Sequence, residues 1–183
     1  MRNLIYSINI SVDGCCDHTH FNPDEEMMDY FTHTMDDVDL LVYGRKTYEL
    51  MVPYWPDVAN AQSGTKAENE FAQRLTAIDK VVFSKTLDRV EGNTKIVRED
   101  PGAEILKLKE GAGKKIAIGG VSLPSQLMER GLIDEYYFVV YPVIVAEGRR
   151  LLEGASLPEK LNLKLVDTKI FQSGAIGLHY LKQ

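Results

Sequence analysis

Three short segments combine small residues, hydroxyls and cations in a way that suits an anion. Gly44-Arg45-Lys46-Thr47 places two positive charges and a hydroxyl directly after a glycine. Gly119-Gly120-Val121-Ser122 sets two glycines ahead of a second hydroxyl. Consecutive glycines cost backbone entropy, so close approach of another group is a reason for having them. Ser84-Lys85-Thr86 again pairs a hydroxyl with a cation. Each segment follows an apolar run, and the first two lead into helical patterns. A helix start offers free N–H groups and the positive end of a dipole, so a phosphate is the expected guest. The plain alternative for each is a tight turn carrying solvated cations. Neither the G-x-G-x-x-G fingerprint nor a Walker lysine motif occurs, which excludes the standard Rossmann and P-loop arrangements.

Two further clusters carry reactive groups. Cys15-Cys16-Asp17-His18-Thr19-His20 holds two thiols and two imidazoles within six residues. Zinc sites need separated ligand pairs that can close a tetrahedron, and this crowded spacing lacks them, so no metal is expected. Adjacent cysteines cannot staple distant segments either, which fits a reducing compartment. Asp24, Glu25, Glu26 and Asp29 crowd the start of the first predicted helix. Acids there complement the helix dipole. One of them could instead donate a proton, and Glu25 is the candidate.

The elements that position these groups read as follows. Residues 3–11 alternate, with Leu4, Tyr6, Ile8 and Ile10 on one face and Ile5, Ser7, Asn9 and Ser11 on the other, which is a strand. Asn22 then resembles a helix cap, with Pro23 in the first turn. The run Leu40-Leu41-Val42-Tyr43 is a strand buried on both faces. A short helix over 45–52 follows. Pro53 and Pro56 break the chain, and 57–64 reads as a polar loop. A helix spans Lys66 to Ala77, and Val81-Val82-Phe83 is a strand. Lys95 to Arg98 is another, ahead of a helix capped by Asp100 and opened by Pro101. Lys115 to Ile118 is a strand, and the helix after it runs to Arg130, closed by Gly131. Glu135 to Val145 is apolar and β-branched. Leu161–Phe171 and Ala175–Leu181 form a hairpin turning at Ser173-Gly174. Strands alternate with helices up to about residue 131, and strands alone follow. That order predicts a single α/β domain over 1–183: three layers, a mostly parallel central sheet and antiparallel C-terminal strands.

Composition narrows the partners. The 183 residues carry a net charge of −6, against the basic excess of nucleic-acid binders. No apolar run approaches the ~20 residues of a membrane span. The first residues lack the apolar run of a secretory leader, so a cytoplasmic location is expected.

The ordered set of segments resembles the dihydrofolate-reductase-like superfamily. The likeness is to stand-alone members related to the reductase domain of bifunctional riboflavin-biosynthesis deaminase-reductases. It rests on Ser11-Val12-Asp13-Gly14, Leu41-Val42-Tyr43-Gly44-Arg45-Lys46-Thr47-Tyr48-Glu49 and Val82-Phe83-Ser84. Ile116-Ala117-Ile118-Gly119-Gly120, Leu132-Ile133-Asp134-Glu135-Tyr136 and Gly148-Arg149-Arg150-Leu151-Leu152 complete it. The resemblance implies NADPH lying across the carboxyl ends of the strands. Gly44, Arg45, Lys46 and Thr47 match the phosphate-holding segment. Ser84 and Lys85 match the adenosine side, and Gly119, Gly120, Val121 and Ser122 the glycine pair under the pyrophosphate. Ile8, Asn9 and the loop from Asp13 match the nicotinamide side, making Asp13 a second candidate catalytic acid. It also implies a homodimer paired through the late strands.

The chain departs from the family in two places. An apolar residue stands where folate reductases carry their pterin-binding carboxylate. Leu50-Met51-Val52-Pro53-Tyr54-Trp55-Pro56 stands where deaminase-reductases carry Asp-Asp-Pro. The expected function is NADPH-dependent reduction of a small pteridine- or pyrimidine-like heterocycle. The alternatives are a non-catalytic dinucleotide-binding homodimer of the same fold and a metal-binding protein using the Cys/His loop.

Overall fold

The computed structural model describes residues 1–152 and 154–183. Eight strands form one sheet: β1 Leu4–Ser11, β2 Val38–Gly44, β3 Asp79–Phe83, β4 Thr94–Val97, β5 Lys115–Ile118, β6 Glu135–Tyr141, β7 Leu163–Ile170 and β8 Ile176–Lys182. The helices are α1 Glu25–Thr34, α2 Arg45–Met51, α3 Tyr54–Ala61, α4 Lys66–Ala77, α5 Pro101–Glu110 and α6 Ser122–Glu129. The sheet order is β4-β3-β2-β5-β1-β6-β8-β7. Every pair from β4 to β6 is parallel, while β8 runs antiparallel to both β6 and β7. The carboxyl ends of β3, β2, β5, β1 and β6 therefore line up along one edge of the molecule.

Helices cover both faces. Tyr6, Val42, Val81 and Ile116 pack under Ile105 of α5 and Leu123 and Leu127 of α6. Ile5, Leu41, Tyr43 and Val82 pack under Met28 of α1 and Phe71 and Leu75 of α4. The alternation read in residues 3–11 is this division between two cores. The central strands meet apolar partners on both sides, which is why they read as unbroken apolar runs.

Several boundaries differ from the sequence expectation. Asp24, not Asn22, caps α1: its Oδ1 accepts from the Met27 N–H at 2.9 Å. A charged carboxylate serves the dipole as well as the hydrogen bond, and Pro23 lies outside the helix. Residues 57–64 are not a loop throughout, because α3 runs from Tyr54 to Ala61. Pro53 caps that helix and Pro56 sits in its first turn, where the missing N–H has no intrahelical partner to lose. β6 stops at Tyr141 because Pro142 brings no N–H to the ladder. The hairpin strands are shorter than their apolar runs, at 163–170 and 176–182.

Candidate functional site

A cleft of about 840 Å³ opens at the carboxyl ends of the parallel strands. The sequence segments singled out for an anion meet there: Gly44, Arg45, Lys46 and Thr47 after β2, Ser84 and Lys85 after β3, and Gly119, Val121 and Ser122 after β5. Five cationic side chains line it, Arg45, Lys46, Lys85, Arg98 and Arg149, against the carboxylates of Glu49, Glu99 and Asp100. Its volume is that of a cofactor-sized site.

The helix starts differ in their caps. Asp24, Thr65 and Asp100 each accept a backbone N–H at the starts of α1, α4 and α5. Thr65 and Glu68 complete a full capping box. At the cleft, Gly44 and Val121 give α2 and α6 no side-chain cap. Two helix starts thus present amides to the cleft with no side-chain oxygen bound to them, beside an excess of positive charge. That donor set fits the phosphates of a dinucleotide. Gly44 has an ordinary extended backbone, with φ −78°. A Cβ there would sit 3.7 Å from Leu123 Cβ, an ordinary contact. Nothing inside the protein demands glycine at that position, so the open surface is available to a ligand.

Gly120 serves the turn itself. It is not among the residues lining the cleft. Its φ of +90° suits glycine alone, and a Cβ there would overlap the Thr47 hydroxyl. Its carbonyl accepts from the Tyr6 hydroxyl at 2.8 Å. Gly120 therefore shapes the turn, and Gly119, Val121 and Ser122 face the opening.

Two cations were missed. Arg98 follows β4 directly, and its guanidinium donates to the carbonyls of Ser84 and Leu87 at 3.2 and 2.8 Å. Those carbonyls hold it beside Ser84. The strand-end rule would have found it had the short β4 been counted with the others. Arg149 reaches in from the connection between β6 and β7, where its Nη2 donates to Ser122 Oγ at 2.7 Å. No sequence spacing points to that contact.

Neither candidate acid lines the cleft. Asp13 accepts from Ser11 Oγ at 2.6 Å, from the Val145 N–H at 3.1 Å and from the Ala146 N–H at 3.0 Å. The Ser11 hydroxyl first, then those amides, hold its carboxyl well below the usual carboxylate range. Arg150 adds an ion pair at 3.3 Å. A carboxylate so stabilised stays ionised at neutral pH, and its work is to pin residues 142–150 onto the loop after β1. Backbone hydrogen bonds from Cys16 to Arg149 and from Leu151 to Gly14 continue that seam and carry Arg149 to the cleft. Glu25 is exposed in the first turn of α1 and does not line the cleft. Its neighbour Glu26 instead accepts from the Gln172 N–H at 3.0 Å and pairs with Lys169.

Ile8 packs with the core under α5 and α6. Asn9 points to the opposite face, where its Oδ1 is buried without a hydrogen-bond partner. In the Cys/His loop, Cys15 is buried and the Cys16 thiol lies 3.2 Å from the Arg149 carbonyl. Among the described residues, no group of three or more His, Cys, Asp or Glu is placed to hold a metal ion.

Residues 2–176 match the RibD C-terminal domain family. The uncharacterized protein YyaP of Bacillus subtilis (strain 168) is 30% identical over 183 residues, spanning 98% of this chain and 94% of that protein. A protein provisionally assigned to riboflavin biosynthesis from Shewanella sp. PV-4 superposes with a TM-score of 0.73 at 18% identity, over 100% of this chain and 99% of that one. Dihydrofolate reductase from Enterococcus faecalis, solved in complex with NADP(H) and RAB-propyl, gives a TM-score of 0.63 at 14% identity, over 99% and 96% of the two chains. At such identities the two structures bear on the fold, which is dihydrofolate-reductase-like. The family match spans almost the whole chain, cleft included, and the protein belongs to the RibD C-terminal domain family.

Proposed function

We propose that this protein is an NADPH-dependent reductase of a small pteridine- or pyrimidine-like heterocycle. The observation that carries the reading is the cleft itself: two helix starts without side-chain caps, ringed by Arg45, Lys46, Lys85, Arg98 and Arg149. Membership of a reductase-domain family supports the reaction type. When bound, the nicotinamide supplies the hydride. The chain's own residues bind and orient. Thr47 and Ser122 offer hydroxyls beside the uncapped amides, and Arg149 brings a cation to Ser122. Arg45, which donates to Thr86, joins Ser84, Lys85 and Arg98 at the far, cationic end, suited to an extra phosphate on the adenosine side.

Fluorescence titration tests this. NADPH is expected to bind more tightly than NADH, and Arg45→Ala to weaken NADPH the more of the two. Arg45 is partly offset by Glu49 at 2.7 Å, so about twofold to fivefold is the expected loss, the scale of an exposed charge contact. Equal affinity of the wild type for both nucleotides overturns the assignment.

A second reading, a dinucleotide-binding protein without catalysis, is favoured by one observation. Asp13 and Glu25, the two candidate acids, are respectively locked in a clamp and exposed away from the cleft. Loss of NADPH absorbance on adding a pteridine or pyrimidine separates the two readings. Binding without turnover across such compounds supports the second.

A further inference from the structure

Five buried side-chain polar atoms among the described residues have no hydrogen-bond partner: Asn9 Oδ1, Thr76 Oγ1, Thr94 Oγ1, Tyr136 OH and Tyr141 OH. Their positions differ. Thr76 ends α4 and Thr94 begins β4, both at the amino edge of the parallel sheet, away from the cleft. Tyr136 faces the core under α5 and α6. Asn9 and Tyr141 alone share a face, lie on adjacent strands and stand at the carboxyl edge.

The register fixes their separation. Asn9 pairs with Val139 and Ser11 with Tyr141 across β1 and β6. The two side chains are thus one strand and two residues apart, about 4.8 Å across and about 6.6 Å along. That is the span of a one- or two-ring heterocycle. Their surroundings are apolar. Tyr141 packs at 4.7 Å on the Phe21 ring, in a cluster with Met27, Val139 and Phe171. Burial, with the nearby Asp24 charge, pushes its hydroxyl up to about 12, so it stays protonated and able to donate. A largely apolar wall with a few fixed polar atoms is the usual make-up of a small-molecule site.

Sheet order places this pair relative to the cleft. From β3, which Ser84 follows, the strands run β2, β5, β1 and then β6. Three strand spacings, about 14 Å, separate β3 from β1. A dinucleotide held at Ser84 and Thr47 would run along this edge toward β1, and a heterocycle beside its far end would then lie near β1 and β6.

We propose that the Asn9 carboxamide oxygen and the Tyr141 hydroxyl are the polar contacts that recognise the heterocyclic substrate, and that this substrate presents an N–H donor to Asn9. The inference rests on the reductase reading above. Buried atoms left unpaired cost stability, and that cost is recovered when a ligand pairs them. A substrate with an amino or ring N–H beside a hydrogen-bond acceptor meets both. One lacking these groups leaves both atoms unpaired and is rejected.

The test uses calorimetric titration with 2,4-diaminopyrimidine, which carries N–H donors, and 2,4-dimethylpyrimidine, which has none. Each is run with and without saturating NADP+. The wild type is expected to prefer the diamino compound. Asn9→Leu should weaken the diamino compound about tenfold, the scale of one buried hydrogen bond, and leave the dimethyl compound unchanged. Tyr141→Phe should weaken the diamino compound about tenfold and the dimethyl compound as well, because both keep ring-nitrogen acceptors. Asn9→Ala takes the place of Asn9→Leu where the larger side chain prevents folding. A melt without ligand gives an independent readout. Tyr141→Phe removes an unpaired hydroxyl, so it should melt at or above the wild type. The proposal falls if the wild type binds neither compound or does not discriminate, if a variant binds the diamino compound as the wild type does, or if Tyr141→Phe melts well below it. NADP+ titrated alone reports separately on the cofactor assignment. Its failure, with the two pyrimidines still told apart, overturns the reductase reading and leaves the Asn9–Tyr141 pair standing.

Discussion

At the scale of single residues, Gly120 shows how a plausible ligand glycine can serve the fold. Its φ of +90° and the Thr47 hydroxyl both oppose a side chain there. Gly120→Val therefore reports on that collision before it reports on any cofactor, and Gly120→Ala is the informative change. It is expected to lower stability by about 1–3 kcal/mol, the cost of holding a non-glycine residue in this region. Thr47→Ala in the same chain removes the overlap but not the backbone strain. The double variant should recover part of the loss in a thermal melt, and full recovery would show that strain contributes nothing. Lys80 offers a second residue-scale test. It is buried, and its ammonium donates to the carbonyls of Thr76 and Ile78 and to Asn93 Oδ1. Burial pulls its pKa down to about 8, with Asp79 opposing weakly. The unfolded chain holds that proton up to about 10.5. Between the two values the unfolded state binds more protons, so stability rises with pH. The midpoint of thermal unfolding should climb from pH 8 to about 9.5, below the range in which the buried tyrosines titrate. Lys80→Met should flatten that climb, and an unchanged slope in the variant would assign it elsewhere.

At the scale of elements, the cleft depends on segments that are distant in sequence but neighbours in the sheet. β2, β3, β4 and β5 each end at one edge and hand over a polar residue there. Their apolar runs were legible because parallel strands buried on both faces have no polar alternation to disguise them. Helix starts were legible where a side chain caps them, as at Asp100. They were misread where two competent caps stand close together, as at Asn22 and Asp24. α3 was hidden because prolines signal a break in sequence, although the first turn of a helix tolerates them. The connection from β6 to β7 had no periodic signal at all. Asp13 and the backbone seam from Cys16 to Leu151 decide its course, and with it the place of Arg149.

At the scale of the whole molecule, the resemblance implies a homodimer paired through the late strands, among which 135–145 is apolar. β6 lies between β1 and β8, so burial within the sheet accounts for that stretch as far as Tyr141. Beyond Tyr141 the stretch exposes Val143 and Ile144, and on β7 at the open edge Ile170 is 77% exposed and Leu165 and Val166 are also exposed. Long apolar edge strands are rarely left bare. We propose that a second copy of the chain covers this edge. Light scattering at micromolar concentration should give twice the chain mass, and Ile170→Lys should shift it toward the monomer. A monomeric wild type would end this proposal. No helix among the described residues is long and apolar enough to cross a membrane.

The sequence alone determined the alternation of strands and helices, the antiparallel ending and the three polar strand ends. These are local properties, carried by periodicity, caps and turn residues within a few positions of each other. Tertiary structure decided which of those residues share a space. Arg149 and Ser122 lie 27 positions apart and meet only because a loop crosses the sheet edge. Asp13 read as a possible acid until its partners 132 and 133 positions away turned it into a clamp. Asn9 and Tyr141 became a pair only when β6 chose β1 as its neighbour. Strand pairing and loop crossings are set by the free energy of the whole packed core, so no short window of residues contains them.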